Sequence, residues 1–239
     1  MIKMSTVVDF HTHILPCVDD GSHSLDESIE MLKEQSKQGV SRVVATPHFY
    51  ANHHSPLRFF NKRQEAECRL REAMSAFQDM PKLSVGAEVF FFEGVSDCEF
   101  LQEMAVSDTN CVMIEMPMGK WSKRNLQELA EIKYKQGLVP VIAHIDRYIR
   151  PFRTNRIPEI LSELPVIIQA NSSFFIDKFT RRLALKLLKE GKIQLIGSDC
   201  HNLDIRPPNI SQALDIIEES LGKEAVFKIN ALGNNLFPN

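Results

Sequence analysis

The chain has 239 residues, 44% of them hydrophobic and 25% charged, with a formal net charge of −3. That length and composition fit one globular core, and the faintly acidic balance without a Lys/Arg block excludes the electrostatic footprint of a nucleic-acid binder. Apolar runs are too short to span a bilayer, and the start, MIKMSTVVDF, lacks the apolar core and cleavage site of a secretory leader, so a cytoplasmic protein is expected.

From the N-terminus onward, β-branched runs alternate with amphipathic stretches, the pattern of βα units around a parallel sheet. Val7–Phe10 predicts the first strand. Ser24 opens a helix with Glu27 placed for a capping box, Leu25, Ile29, Met31 and Leu32 as its buried stripe, and Gly39 as its stop. Arg42–Ala45 predicts a strand stopped by Thr46-Pro47, and 56–77 a long charged helix. Further strands are expected at Leu83–Ala87, Val112–Glu115, Val139–Ala143, Val166–Ala170 and Gln194–Gly197, with helices near 125–136, 180–190 and 210–221. Seven strands with mostly helical crossovers predict an α/β barrel over residues 1–239 as a single domain; an eighth strand stays open. The tail after Lys223 reads as helical without an assignable role. Cys17, Cys68, Cys98, Cys111 and Cys200 form an odd set without CxxC spacing, which predicts free thiols in a reducing compartment.

Nearly every predicted strand ends in a group able to bind a metal. The first runs into Asp9-Phe10-His11-Thr12-His13, the second into Thr46-Pro47-His48. Then come Gly86-Ala87-Glu88, Ile114-Glu115, Ala143-His144 and Gly197-Ser198-Asp199-Cys200-His201. Alone, an HxH pair is also an ordinary polar position, and Glu88 or Glu115 alone reads as a solvated carboxylate at a loop start. In a closed parallel barrel, however, the C-terminal strand ends converge on one rim, where active sites are built. Joint placement there predicts a metal cluster. Imidazole and carboxylate without thiolate suit Mn, Fe or Zn in a hydrolytic site rather than a structural zinc site.

Together, HTHILPCVDDG, the ATPH segment, GAEV, the IE closing the fourth strand, AHIDRY and GSDCHN resemble the polymerase-and-histidinol-phosphatase (PHP) family over residues 8–208. More narrowly, they are similar to its bacterial metal-dependent protein-tyrosine phosphatases of capsule and exopolysaccharide gene clusters. The resemblance implies a distorted (β/α)7 TIM-like barrel holding three divalent metal ions, manganese when active, with Fe or Zn as alternatives. It places His11, His13, Glu88 and Asp199 on one metal. Glu88 would bridge to a second, completed by Glu115 and His144, and Asp20, His48 and His201 would hold the third. Asp19 would support the loop. Arg147 and Arg206 would be the catalytic arginines on the substrate phosphate. The implied partner is a phosphotyrosine protein, such as a bacterial tyrosine kinase of polysaccharide synthesis. Two positions depart from the family's pattern: Cys17 stands where glycine is common, and Ile145-Asp146 replaces proline and glutamate.

The mechanism that follows is phosphomonoester hydrolysis by metal-activated hydroxide, with arginine forks clamping the phosphate oxygens. A tyrosine phenolate needs little protonation on leaving, which suits a site without an obvious general acid. Ligand histidines must be neutral, so activity is expected to fall as pH drops through about 6. Histidinol phosphate or another small phosphoester is the alternative substrate. Cys200-x5-Arg206 also matches the spacing of cysteine-dependent phosphatases, but its intervening residues hold no glycine and Pro207-Pro208 follows. A cyclic-amide hydrolase would share HxH, yet no strand ends in a lysine to carbamylate. A binding module without turnover is the non-catalytic reading. His23, His53 and His54 are expected to be solvated.

Overall fold

The structure, a computed structural model, describes residues 6–149 and 156–238, so the first half of the stretch read for a leader lies outside the described residues. Nine strands are found among the described residues: β1 (Val7–Thr12), β2 (Val40–Ala45), β3 (His48–Phe49), β4 (Lys82–Val85), β5 (Glu88–Phe90), β6 (Cys111–Glu115), β7 (Val139–Ile142), β8 (Ile167–Asn171) and β9 (Leu195–Gly197). The helices are α1 (Leu25–Lys37), α2 (Pro56–Met74), α3 (Leu101–Met104), α4 (Lys123–Glu131), α5 (Ile157–Ser162), α6 (Ser172–Ile176), α7 (Arg181–Lys189), α8 (Ile210–Leu221) and α9 (Lys223–Asn235). All ladder pairs are parallel, β1-β2-β4 in one sheet and β3-β5-β6-β7-β8-β9 in the other. This is a mixed α/β architecture around a curled parallel sheet.

Each of the seven expected strands is present, with one correction. The run expected at Leu83–Ala87 is broken: β4 ends at Val85 and β5 begins at Glu88. Likewise β2 stops at Ala45 and β3 resumes at His48, because Pro47 cannot donate to a ladder. Hydrogen bonds carry the sheet across both breaks. Thr46 N–H donates to Thr12 O at 2.8 Å, Gly86 N–H to Ala45 O at 2.9 Å, and Glu88 N–H to Pro47 O at 3.0 Å. The sheet curls until its last strand meets its first: Asp199 N–H donates to His11 O at 2.8 Å and His13 N–H to Cys200 O at 2.9 Å.

Two apolar clusters hold this shape. The larger lies between strands and helices and includes Val43, Val112, Ile114 and Ile168. The smaller takes the alternate strand positions, Val8, Phe10, Val44, Cys111, Met113 and Val141, as period two requires. It also takes Phe237, whose ring lies 6.2 Å from that of Phe10 and under the Arg42 guanidinium at 4.0 Å. The tail thus has a structural role, since α9 packs on β1 and β9 and delivers Phe237 to that cluster.

Helix ends follow the local sequence closely. Ser24 Oγ accepts the Glu27 N–H at 3.1 Å, but the Glu27 carboxylate accepts from His23 N–H at 2.7 Å, so the reciprocal half of the expected capping box lands one residue early. Gly39 ends the helix region with φ +77, a conformation that costs glycine little. The helix expected over 56–77 stops at Met74, and the one near 125–136 widens into a π turn at Ile132–Gln136.

Candidate metal centre

Strand ends and the loops that follow them bring all nine expected ligand residues and both arginines into one mouth. Glu88, on β5 just past its break and fully buried, is the hub. Its Oε2 lies 2.9 Å from His48 Nδ1, 3.2 Å from His11 Nε2 and 3.4 Å from His13 Nε2. Its Oε1 lies 2.7 Å from His144 Nε2, which is 3.4 Å from Glu115 Oε1. Asp199 Oδ1 stands 3.5 Å from His11 Nε2 and 3.4 Å from His13 Nε2. Asp20 Oδ1 reaches His48 Nε2 at 3.5 Å and His201 Nε2 at 3.6 Å.

Three groups of side chains present ligand atoms close enough to share an ion: His13 with Asp20, His48 and His201; His11 with His13 and Glu88; and His48 with Glu88 and Glu115. His144 and Asp199 adjoin these groups rather than falling inside them. The grouping differs from the expected partition in that His13 also leans toward Asp20, and His48 toward Glu88.

Several features fit this donor set to divalent cations. Asp199 Oδ1 and His201 Nε2 are buried without a hydrogen-bond partner, a costly condition for polar atoms unless another group binds them. His11 Nε2 faces His13 Nε2 at 3.1 Å, an approach of two ring nitrogens that favours a shared cation over a crowd of lone pairs. His144 and Asp199 hold left-handed backbone, φ 34 and 54, strain of the kind that accumulates at functional sites.

The charges lean on one another. Burial alone would raise Glu88, but His11, His13 and His144 hold it well below the usual carboxylate range. Burial would lower His144, yet Glu115 and Glu88 push it up to about 9. Burial and the charge on His13 carry His201 down to about 3. Burial opposes protonation of His13, but Asp19 raises it well above the ordinary imidazole value.

Asp19 and Asp20 divide their work. Asp19 Oδ2 meets His13 Nδ1 at 2.6 Å and accepts the His48 N–H at 2.9 Å, while its Oδ1 accepts the Gly21 N–H at 3.0 Å. Asp20 is 69% exposed and faces the mouth. The loop that carries them turns at Cys17, φ 60, which explains why a glycine suits that position. Asp146, at the other departure, accepts the Asn171 N–H at 3.0 Å.

Arg147 Nη2 and Arg206 Nη2 both sit on Asp199 Oδ2, at 2.7 and 2.6 Å, and each side chain is 35% exposed. Asn202 aims Arg206: its Oδ1 accepts the N–H groups of Asp204, Ile205 and Arg206 at 3.1, 2.7 and 3.0 Å. Those N–H groups are the ones a cysteine phosphatase would offer to phosphate, and here they are taken. The Cys200 thiol is fully buried, and that burial pushes it up to about 12. A nucleophilic Cys200 is therefore a poor fit.

Of the aromatic residues near the strand ends, Phe49, Phe91, Phe174 and Phe175 pack into the core, and Tyr50 and Phe90 line the mouth half-buried, 5.7 Å apart. His54 is not solvated as expected: it is half-buried, stacks on Phe59 at 6.1 Å and accepts the Tyr50 N–H at 3.2 Å. Residues that the ligand pattern passed over are Asp9, Gln169 and Asn171, all buried polar groups beside the ligands. For Gln169 and Asn171 a signal was present in β8, where they alternate with apolar Ile168 and Ala170.

The family model for capsular polysaccharide synthesis, CpsB/CapC, matches residues 7–235. The tyrosine-protein phosphatase CpsB of Streptococcus pneumoniae is 30% identical over 225 residues, covering 90% of this chain and 91% of that protein. A solved structure from work on YwqE of Bacillus subtilis and CpsB of Streptococcus pneumoniae, described as unique metal-dependent tyrosine phosphatases, superposes with a TM-score of 0.84 at 25% identity, over 96% of this chain and 94% of that one. The phosphotriesterase homology protein of Escherichia coli shares the fold alone, with a TM-score of 0.53 at 10% identity over 97% of this chain and 99% of that one.

Proposed function

The chain belongs to the CpsB/CapC family of capsular polysaccharide synthesis, and from that premise we infer that it is a metal-dependent protein-tyrosine phosphatase, a phosphoric monoester hydrolase. The observation that carries the chemistry is the convergence of His11, His13, His48 and His144 on the Glu88 carboxylate, with Arg147 and Arg206 beside them on Asp199.

On this reading the ligands of the cluster are His11, His13, Asp20, His48, Glu88, Glu115, His144, Asp199 and His201. They hold three divalent cations, with manganese as the working metal and Fe or Zn as the other occupants the donors accept. Bound there, the cations supply Lewis-acid charge and an activated water for attack on phosphorus. The protein's own groups do the rest. Glu88, with two oxygens facing different histidines, is placed to bridge. Arg147 and Arg206 exchange Asp199 for the phosphate oxygens of the substrate and clamp it as planar forks. The curled sheet, with its two broken runs each counted once, reads as a distorted (β/α)7 barrel, and the family match over residues 7–235 supports a single domain.

The substrate is phosphotyrosine in a protein, and a tyrosine kinase of polysaccharide synthesis is the partner this family suggests. No described helix is long and apolar enough to cross a membrane. A cytoplasmic setting is proposed on the odd set of five cysteines, all free.

The test is hydrolysis of a phosphotyrosine peptide beside histidinol phosphate by metal-stripped protein, with and without added Mn. Activity restored by Mn and higher on the peptide is expected. Preference for histidinol phosphate would leave the metal site standing and overturn the substrate. Full activity of the stripped protein would overturn the metal reading.

A further inference from the structure

β8 is the strand whose end supplies neither histidine nor acid, yet it runs between β7, which leads to His144, and β9, which leads to Asp199. Its residue Gln169 is fully buried. The Oε1 atom of Gln169 accepts the His144 backbone N–H at 2.6 Å and lies 3.3 Å from Nδ1 of His11. A backbone N–H can only donate, so the atom facing it is the amide oxygen and the side chain's orientation is settled. That oxygen carries no hydrogen. In the neutral imidazole that a metal ligand must be, His11 Nδ1 is therefore the protonated nitrogen, and the lone pair sits on Nε2. Nε2 is the atom that faces His13, Glu88 and Asp199.

The same amide has a second task. His144 adopts φ 34, a conformation a β-carbon disfavours, and the Gln169 oxygen holds its N–H in that conformation. On its other side, Gln169 Nε2 donates to Asn171 Oδ1 at 3.2 Å, and Asn171 Nδ2 donates to Asp199 Oδ2 at 2.9 Å. Three expected ligands from three different strands are thereby tied to one uncharged pair of amides. A carboxylate at 169 would accept both bonds equally well, but would add negative charge beside Glu88 and Asp199.

We propose that Gln169 is a positioning residue of the metal centre: its one amide oxygen fixes His11 in the Nδ1–H tautomer and pins the strained backbone of His144. The proposal rests on the metal reading of this site. A residue that merely stabilised the fold would leave the His11 tautomer alone.

The experiment uses the full chain. Imidazole nitrogens are read by long-range 1H–15N NMR on metal-free protein at alkaline pH, with the His11 signal identified by its loss in His11→Asn. Wild type is expected to show His11 protonated at Nδ1. Gln169→Met, close in length and without an acceptor, is expected to shift His11 toward the Nε2–H form and to weaken Mn binding by roughly 10–100-fold in a calorimetric titration. Gln169→Glu keeps the acceptor and is expected to keep the Nδ1–H signature even if Gln169→Met does not fold. The proposal is overturned if wild type shows the Nε2–H form, if Gln169→Met leaves the tautomer and Mn affinity unchanged, or if Gln169→Glu loses the signature. Wild type that keeps the tautomer but binds no Mn would instead overturn the metal reading itself.

Discussion

Nδ1 of His13 lies 2.6 Å from Oδ2 of Asp19, which turns the opposite ring nitrogen of His13 into the cluster. Because Asp19 also takes the N–H groups of His48 and Gly21, it ties the Asp19–Asp20 loop to two expected ligands at once. An asparagine has one acceptor oxygen for the work of two. Asp19→Asn is therefore expected to weaken Mn binding roughly 10–100-fold, with a matching loss of activity at limiting metal. Calorimetric titration of stripped protein checks it, and an unchanged isotherm would refute the orienting role.

Arg147 and Arg206 share one oxygen of Asp199, and Arg147 Nη1 also lies 3.4 Å from Glu115 Oε1 and 3.3 Å from His144 Nε2. Replacing either by alanine is expected to lower kcat/KM for a phosphotyrosine peptide by roughly 10–100-fold, the scale of one charged hydrogen bond. Metal content should stay the same, because removing an arginine frees Asp199 rather than displacing it. Lysine at either position keeps the charge but loses the planar fork, so it should rescue only part of the loss. Metal analysis beside steady-state kinetics separates the cases; loss of metal in the alanine variants would make these arginines structural.

Much of the candidate centre was legible in the sequence because most of the expected ligands lie at or just past the end of a buried β-strand, and the strands themselves are short β-branched runs. His11, His48, Glu88, Glu115, His144 and Asp199 were found that way. The breaks at Pro47 and Gly86-Ala87 were half-legible: proline marked one, but the other shows only in the ladders, β4 pairing with β2 and β5 with β3 and β6. What stayed hidden depends on segments distant in the chain. Gln169 is one glutamine in a strand until His11 and His144 are seen on the same oxygen. Asp9, passed over as the residue before HxH, is fully buried and accepts the Ser198 N–H at 2.8 Å, so it braces β1 against the end of β9.

Metal-free stability should depend on pH in a definite direction. His144 is held up to about 9, so the stability its pairing with Glu115 and Glu88 contributes is complete below the unfolded value of about 6.5 and is lost as pH rises through about 9. Glu88 and Asp199 are held low, so their contribution is present above the unfolded values near 4 and is lost as pH falls further. His201, carried down to about 3, must stay neutral, so its contribution is lost as pH falls below the unfolded value of about 6.5, and the stripped protein should have its highest Tm near pH 6.5. Bound cations replace the protons as counter-charge, so the gain in Tm on adding Mn should grow from about pH 6.5 to 9. Thermal scans with chelator or Mn across that range check it; a constant gain would contradict the linkage.

Cys200 lies inside the cluster's wall, fully buried, with Gln35 Nε2 3.7 Å from its sulfur. Cys200→Ala removes one sulfur from a packed wall and should lower stability modestly, by about 1 kcal/mol. Mn-dependent activity should remain within a few-fold of wild type. Loss of turnover with metal content intact would revive a thiolate mechanism.

Gly197 and Gly39 separate the cost of crowding from the cost of conformation. A β-carbon at Gly197 would lie 2.4 Å from His11 Cβ, 2.8 Å from His11 N and 2.9 Å from Gln169 Nε2, so β1 would have to retreat from β9 and the Gln169 amide would have to shift. At Gly39 nothing lies within 4 Å, but φ is +77. Gly39→Ala is expected to cost about 1–2 kcal/mol through left-handed strain, with Mn binding untouched. Gly197→Ala should cost about 1–3 kcal/mol by overpacking and, unlike Gly39→Ala, should weaken Mn binding, because the atom displaced belongs to His11. Denaturant titration and Mn titration of the two variants side by side decide it: equal Mn affinity in both would mean that His11 tolerates the shift, and that the close approach of β9 serves packing alone.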